Sequence, residues 1–140
     1  MEKIKLVLVK FLPKELEPWV LYVSEEFSVA GHLCPCGCGN KIITPLGLTE
    51  WSFTEYNGKP TLYPSLGNWQ LPCRSHYWIT EGVIGWSYQW TDDQIIEGYR
   101  SEEMKRKIHF ERLSKKQKRK TILSRISDWS RGFFLRKGRG

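Results

Sequence analysis

The chain has 140 residues, with 22 Lys and Arg against 15 Asp and Glu, for a net charge of +7. That length allows one domain with an appendage and a core small enough that a bound metal would matter to it. No apolar run approaches the roughly 20 residues that a bilayer-spanning helix needs, so no such helix is expected, and Met1-Glu2-Lys3-Ile4-Lys5 opens no apolar h-region, so a cytoplasmic chain with reduced thiols is expected.

The charge is uneven. Residues 1–113 carry 12 basic and 14 acidic side chains, whereas residues 114–140 carry 10 basic and 1 acidic. Any attraction to nucleic acid or an anionic surface therefore belongs to the tail.

In chain order, Ile4–Val9 alternates apolar with lysine and predicts a first strand. Pro13 and Pro18 bracket a loop, and Trp19–Val23 is a β-rich run that predicts a second strand. Ser28–Leu33 and Lys41–Thr44 predict a hairpin whose tip is Cys34-Pro35-Cys36-Gly37-Cys38-Gly39. Trp51–Tyr56 alternates aromatic with polar and is followed by Asn57-Gly58, a strong turn signal; Thr61–Tyr63 resumes as strand until Pro64. His76–Thr80, Glu81-Gly82 and Val83–Ser87 predict a further hairpin. Past Thr91-Asp92-Asp93 the composition turns polar and helix-prone, predicting a capped helix over about 92–113. Ser114–Lys120 reads as a solvated face or flexible link. Ile122, Ile126, Trp129 and Phe133 then recur at helical spacing, with Ser and Arg between them. The expected fold class is α+β: a small zinc-stapled antiparallel β domain over 1–90, a helix packed on it over 91–113, and a basic amphipathic tail over 114–140.

The cysteines carry the chemistry. Three lie within five residues, and Cys73-Arg74-Ser75-His76 supplies a second cluster. Pro35 stiffens the first stretch, Gly37 and Gly39 allow positive φ, and backbone amides in such a turn can stabilise thiolates. Cys34, Cys36, Cys38, Cys73 and His76 are five candidates for the four places of a Zn2+ ion, with His32 a weaker sixth. The one-residue spacing departs from the usual two, and a disulfide or free buried thiols are the alternatives.

From Cys34 through Trp86 the chain resembles a bacterial and phage zinc-motif family of unknown function. The likeness rests on Cys34-Pro35-Cys36-Gly37-Cys38-Gly39, Thr61-Leu62-Tyr63-Pro64-Ser65-Leu66-Gly67, Cys73-Arg74-Ser75-His76-Tyr77-Trp78-Ile79 and Trp86, in that order. Members of that family stand beside ubiquitin-like proteins and relatives of their conjugating enzymes. The resemblance implies a place in a ubiquitin-like protein-modification pathway, with a ubiquitin-like protein or its conjugation enzymes as partner.

Three classes of function follow. The preferred one is a protein-binding adaptor with a structural zinc, because four protein ligands leave no place for water. The second is a hydrolase, a peptidase or isopeptidase acting on a ubiquitin-like protein. Glu50, Glu55 and Glu81 are possible bases for a zinc route, but none lies in a His-Glu-x-x-His pattern. A serine route through Ser65 and His76 lacks a third, orienting residue, and a thiolate route through a surplus cysteine has the same gap. Tyr63-Pro64-Ser65-Leu66-Gly67 reads more simply as a turn, and no residue is assigned a catalytic role. The third class is nucleic-acid binding through the tail. Lys115, Lys116, Lys118, Arg119, Lys120 and Trp129 are the candidate contacts for nucleic acid or a partner.

Overall fold

The computed structural model describes residues 1–137, with side chains described as far as Arg131. The chain divides into two units, Met1–Ile96 and Glu97–Gly140.

The first unit holds two four-stranded sheets. One contains β1 (Lys5–Leu8), β2 (Val20–Ser24), β3 (Val29–Leu33) and β4 (Lys41–Pro45), in sequential order. The other contains β5 (Ser52–Tyr56), β6 (Lys59–Gly67), β7 (His76–Thr80) and β8 (Val83–Trp86), also in sequential order. Every pairing is antiparallel except β1–β2, which is parallel. The long connection through Pro13 and Pro18 brings β2 back alongside β1 in the same direction, which a tight hairpin cannot do.

The expected hairpins form where their turn residues stand. Asn57 and Gly58 both adopt positive φ between β5 and β6, as do Glu81 and Gly82 between β7 and β8. Burial alternates along β4, with Ile42 and Thr44 inward and Lys41, Ile43 and Pro45 outward. The inward residues of both sheets share one core. Leu21, Val23 and Ala30 from the first sheet meet Leu62, Tyr77 and Ile79 from the second. Each such aliphatic side chain contributes about 1.5–3 kcal/mol by leaving water. The N-terminal residues close the exposed side of β8, with the Ile4 amide donating to the Gly82 carbonyl at 2.8 Å and the Ile84 amide donating to the Glu2 carbonyl at 2.9 Å.

β6 differs from its sequence reading. It does not stop at Pro64 but runs on to Gly67, so Tyr63-Pro64-Ser65-Leu66-Gly67 is strand rather than turn. Its register against β7 shifts, however: Leu62 pairs with Ile79 and Leu66 with Tyr77, leaving Tyr63–Ser65 opposite Trp78 alone. An insertion of this kind re-aims the side chains it contains.

The helix α1 spans Asp92–Lys137 without a break. Thr91 caps it reciprocally with Gln94: the Gln94 amide donates to Thr91 Oγ1 at 3.3 Å and the Thr91 amide donates to Gln94 Oε1 at 2.9 Å. Asp92 and Asp93 complement the helix dipole in its first turn. Of the two readings of Ser114–Lys120, a solvated face or a flexible link, the run is the first, as exposed helix. Lys, Arg and Gln are good helix formers, and no Gly or Pro interrupts that run. Lys115, Lys116, Lys118, Arg119 and Lys120 are all exposed on it, as are Ile122, Ile126 and Trp129. The Phe133 side chain of the expected stripe, and that of Phe134, lie outside the described residues. Among the described residues, no helix is long and apolar enough to cross a membrane.

All the core members of the first unit lie between Ile4 and Ile84. A chain shortened after Ser114 is accordingly expected to keep a cooperative thermal transition and native near-UV dichroism. An aggregated or non-cooperative product would make the distal helix part of what folds the body.

Candidate functional site

The cysteine turn delivers three sulfurs from one short loop. Gly37 and Gly39 take φ of 87° and 78°, alternating with the cysteines, which only a residue without Cβ does at no steric cost. The consequence is a stepwise effect on acidity: the Cys36 amide favours the Cys34 thiolate, the Cys38 amide that of Cys36, and the Asn40 amide that of Cys38. The one-residue spacing thus lets each step of the turn solvate the thiolate before it. Asn40 adds its side-chain amide to Cys38 at 3.2 Å.

Cys73 arrives from the loop before β7 and completes the group. The ligand atoms of Cys34, Cys36, Cys38 and Cys73 all lie within 4.8 Å of one another. The separations include 3.3 Å for Cys34–Cys36, 4.0 Å for Cys34–Cys73 and 3.9 Å for Cys38–Cys73. A tetrahedron with metal–sulfur bonds of about 2.3 Å has edges of roughly 3.8 Å, so the group fits a four-thiolate metal ion. All four cysteines are free thiols. Crowding shows in their acidities. Desolvation, then the neighbouring thiols, pushes Cys36 up to about 12, whereas the Asn40 backbone and side-chain amides pull Cys38 down to about 6. A bound cation stabilises all the thiolates together.

Behind the sulfurs lies a buried polar chain. Asn68 Nδ2 donates to Ser75 Oγ at 2.9 Å, and Ser75 Oγ stands 3.2 Å from Cys34 sulfur. Asn68 also donates to Tyr77 Oη at 3.4 Å, and Tyr77 Oη meets His32 Nε2 at 2.7 Å. Such partners fix the orientation of a metal's ligands. His32 is thus a core histidine rather than a ligand: it is fully buried, and burial lowers its pKa to about 4, so it is neutral near pH 7. Tyr77→Phe removes the hydroxyl that His32 and Asn68 share. It is expected to destabilise the fold by about 1–3 kcal/mol in urea titrations at pH 7. An unchanged midpoint would mean that the network carries no stability.

His76 corrects the expected ligand set. The tight turn at Arg74, with φ of 45°, and the start of β7 turn its ring away from the four sulfurs. Both ring nitrogens are engaged elsewhere: Nε2 lies 2.9 Å from Ser65 Oγ, and Nδ1 lies 2.8 Å from the Tyr88 carbonyl oxygen. A carbonyl can only accept, so Nδ1 carries the hydrogen of the neutral ring and Nε2 presents its lone pair to the Ser65 hydroxyl. The register shift in β6 is what brings Ser65 there. His76 is buried and Ser65 half-buried. The Arg74 guanidinium donates to Asp92 Oδ1 at 3.0 Å, tying the turn to the first residue of α1.

Sequence reading paired Cys73 with His76 because they stand three apart, and it missed Asn68, Ser75 and Tyr88. Tyr88 contributes only a backbone carbonyl, which no residue type signals. Of the carboxylates considered, Glu55 accepts the Gly58 amide at 2.6 Å within its own hairpin, and among the described residues no carboxylate joins the sulfur group.

No curated protein and no solved structure matches the chain. A family described as the bacterial ubiquitination-like system serine protease (BubE) matches residues 8–87, a span that holds all four cysteines together with Ser65 and His76. With more than half of its length so matched, the chain belongs to the BubE family of a bacterial ubiquitination-like system.

Proposed function

We propose that the protein is a serine peptidase that cleaves peptide or isopeptide bonds made by a ubiquitin-like protein, with Ser65 as nucleophile and His76 as general base. One observation carries this reading: Ser65 Oγ, the His76 ring and the Tyr88 carbonyl stand in hydrogen-bonded line at 2.9 Å and 2.8 Å. A serine hydroxyl is a weak nucleophile until a positioned base removes its proton. His76 Nε2 takes that proton as Ser65 Oγ attacks the scissile carbonyl carbon, and then passes it to the departing amine. Water hydrolyses the acyl-enzyme by the same proton route in reverse. The Tyr88 carbonyl holds the tautomer that makes this possible. The family description supports the reaction class and the ubiquitin-like setting of the substrate.

The metal's part in this reading is architectural. Cys34, Cys36, Cys38 and Cys73 would hold Zn2+, which supplies a fixed cross-link between the cysteine turn and the loop that leads into His76. An all-thiolate shell offers no open position for substrate, so the adaptor reading's structural zinc is retained while its non-enzymatic role gives way. Nothing about the helix favours nucleic acid over a protein partner.

The test is covalent labelling of the full chain with a fluorophosphonate, followed by peptide mapping. Ser65 Oγ attacks phosphorus, the P–F bond breaks, fluoride departs and His76 takes the proton. Stoichiometric labelling at Ser65 is expected. Labelling elsewhere, or none, would return the adaptor to first place.

A further inference from the structure

We propose that Trp69 and Trp90 are positioning residues that clamp the His76 ring, doing jointly with the Tyr88 carbonyl what a carboxylate does in a full triad. This rests on the reading of Ser65 and His76 as nucleophile and base.

Two hydrogen bonds, one at each ring nitrogen, fix the line through the imidazole but not its tilt about that line. A carbonyl also carries no net charge to balance the imidazolium that forms when His76 takes the Ser65 proton. Both shortfalls are met by rings. Trp69 and Trp90 stack on each other with centroids 5.4 Å apart and planes 21° apart. Each meets His76 edgewise, at 4.9 Å and 68° for Trp69 and at 5.3 Å and 77° for Trp90. Two nearly parallel indoles standing across one imidazole block its tilt. In a T-shaped contact with the imidazole edge toward an indole face, centroids at 4.9 Å and 5.3 Å are within the roughly 6 Å over which an aromatic ring stabilises a cation.

The backbone is shaped for this contact. Gly67 is the register partner of His76 across β6 and β7. A Cβ at Gly67 would fall 2.5 Å from Trp69 Cε2 and 2.6 Å from its Cζ2 and Nε1. The absence of a side chain there is what lets the indole lie over the strand beside His76. Trp90 comes from the segment after β8, where the Ser87 amide donates to the His76 carbonyl at 2.8 Å. The same segment therefore brings the Tyr88 carbonyl and one half of the clamp to the ring together.

The experiment measures saturation kinetics of fluorophosphonate labelling at Ser65 in the full chain, alongside the 15N shifts of the His76 ring. Trp69→Leu and Trp90→Leu are each expected to lower the maximal labelling rate by about tenfold or more, with the half-saturating concentration within about twofold, because misplacing a catalytic group acts on the chemical step. Trp69→Phe should recover most of that rate. Gly67→Ala, which keeps both indoles but displaces one, should reproduce the loss. The 15N shifts should show one tautomer in the wild type and Trp69→Phe, and an averaged ring in the leucine variants. Wild-type rates in folded Trp90→Leu and Gly67→Ala would overturn the clamp even if Trp69→Leu fails to fold. A wild-type chain that does not label at Ser65 overturns the underlying reading, and the clamp with it.

Discussion

Ser65→Ala is expected to reduce cleavage of a ubiquitin-like fusion by up to about 10⁶-fold, the loss seen when the nucleophile of a serine protease is removed. The stability of the chain should barely move. Ser65 is half-buried, and among the described residues its hydroxyl meets His76 Nε2 alone, an acceptor that a water molecule can satisfy in its place. His76→Gln should cost about as much activity, and the double variant little more than either alone, because the two residues act as one unit. Turnover of a peptide-bonded and an isopeptide-bonded substrate, with metal content and thermal midpoint measured on the same samples, separates this from unfolding. Ser65→Ala with wild-type turnover and the metal still bound would show that the nucleophile lies elsewhere.

Much of the first unit was legible because its signals are local. Asn57-Gly58 and Glu81-Gly82 have the positive φ that their turns require, and the aromatic–polar alternation in Trp51–Tyr56 falls on β5. The cysteine turn was legible for the same reason: its glycines and thiolates lie within one loop. The parallel β1–β2 pairing was not, since nothing local distinguishes a strand that returns by a long loop from one that folds straight back. The serine route through Ser65 and His76 could be drawn from the sequence, but the contact between them could not be read there. Ser65 reaches His76 through a register shift between two strands, a property of the pairing and not of either segment. Pro64, a strand breaker by composition, sits inside that irregular stretch, where the ladder does not ask for its missing amide. The third partner is a main-chain carbonyl, so a search for Asp or Glu had nothing to find. Ser114–Lys120, readable as a solvated face or a flexible link, is the former: its residues are exposed, every one tolerates helix, and the flanking turns propagate through it.

Cys73→Ser is expected to cost more than any catalytic substitution, because it acts on the fold. A four-thiolate zinc contributes on the order of 10 kcal/mol to a small module, comparable to the entire 5–15 kcal/mol by which such domains are stable. Cys73 is the one cysteine from the loop before β7, the other three coming from the turn that carries Cys34, Cys36 and Cys38, so its loss opens the four-sulfur group where the two segments meet. Three residues further on stands His76, and between them Ser75 links Cys34 to Asn68. Freeing the loop therefore also frees His76, the proposed general base. The wild type should carry about one zinc per chain by elemental analysis. Removing it with a strong chelator should abolish near-UV dichroism and fluorophosphonate labelling together, and both should return on zinc add-back. Ser65→Ala, by contrast, should retain its zinc and its dichroism while losing all labelling. That contrast assigns the metal to architecture. A chelated chain that keeps full dichroism but loses turnover would instead put the metal in the reaction, and a metal-free chain that keeps both would remove zinc from the account altogether.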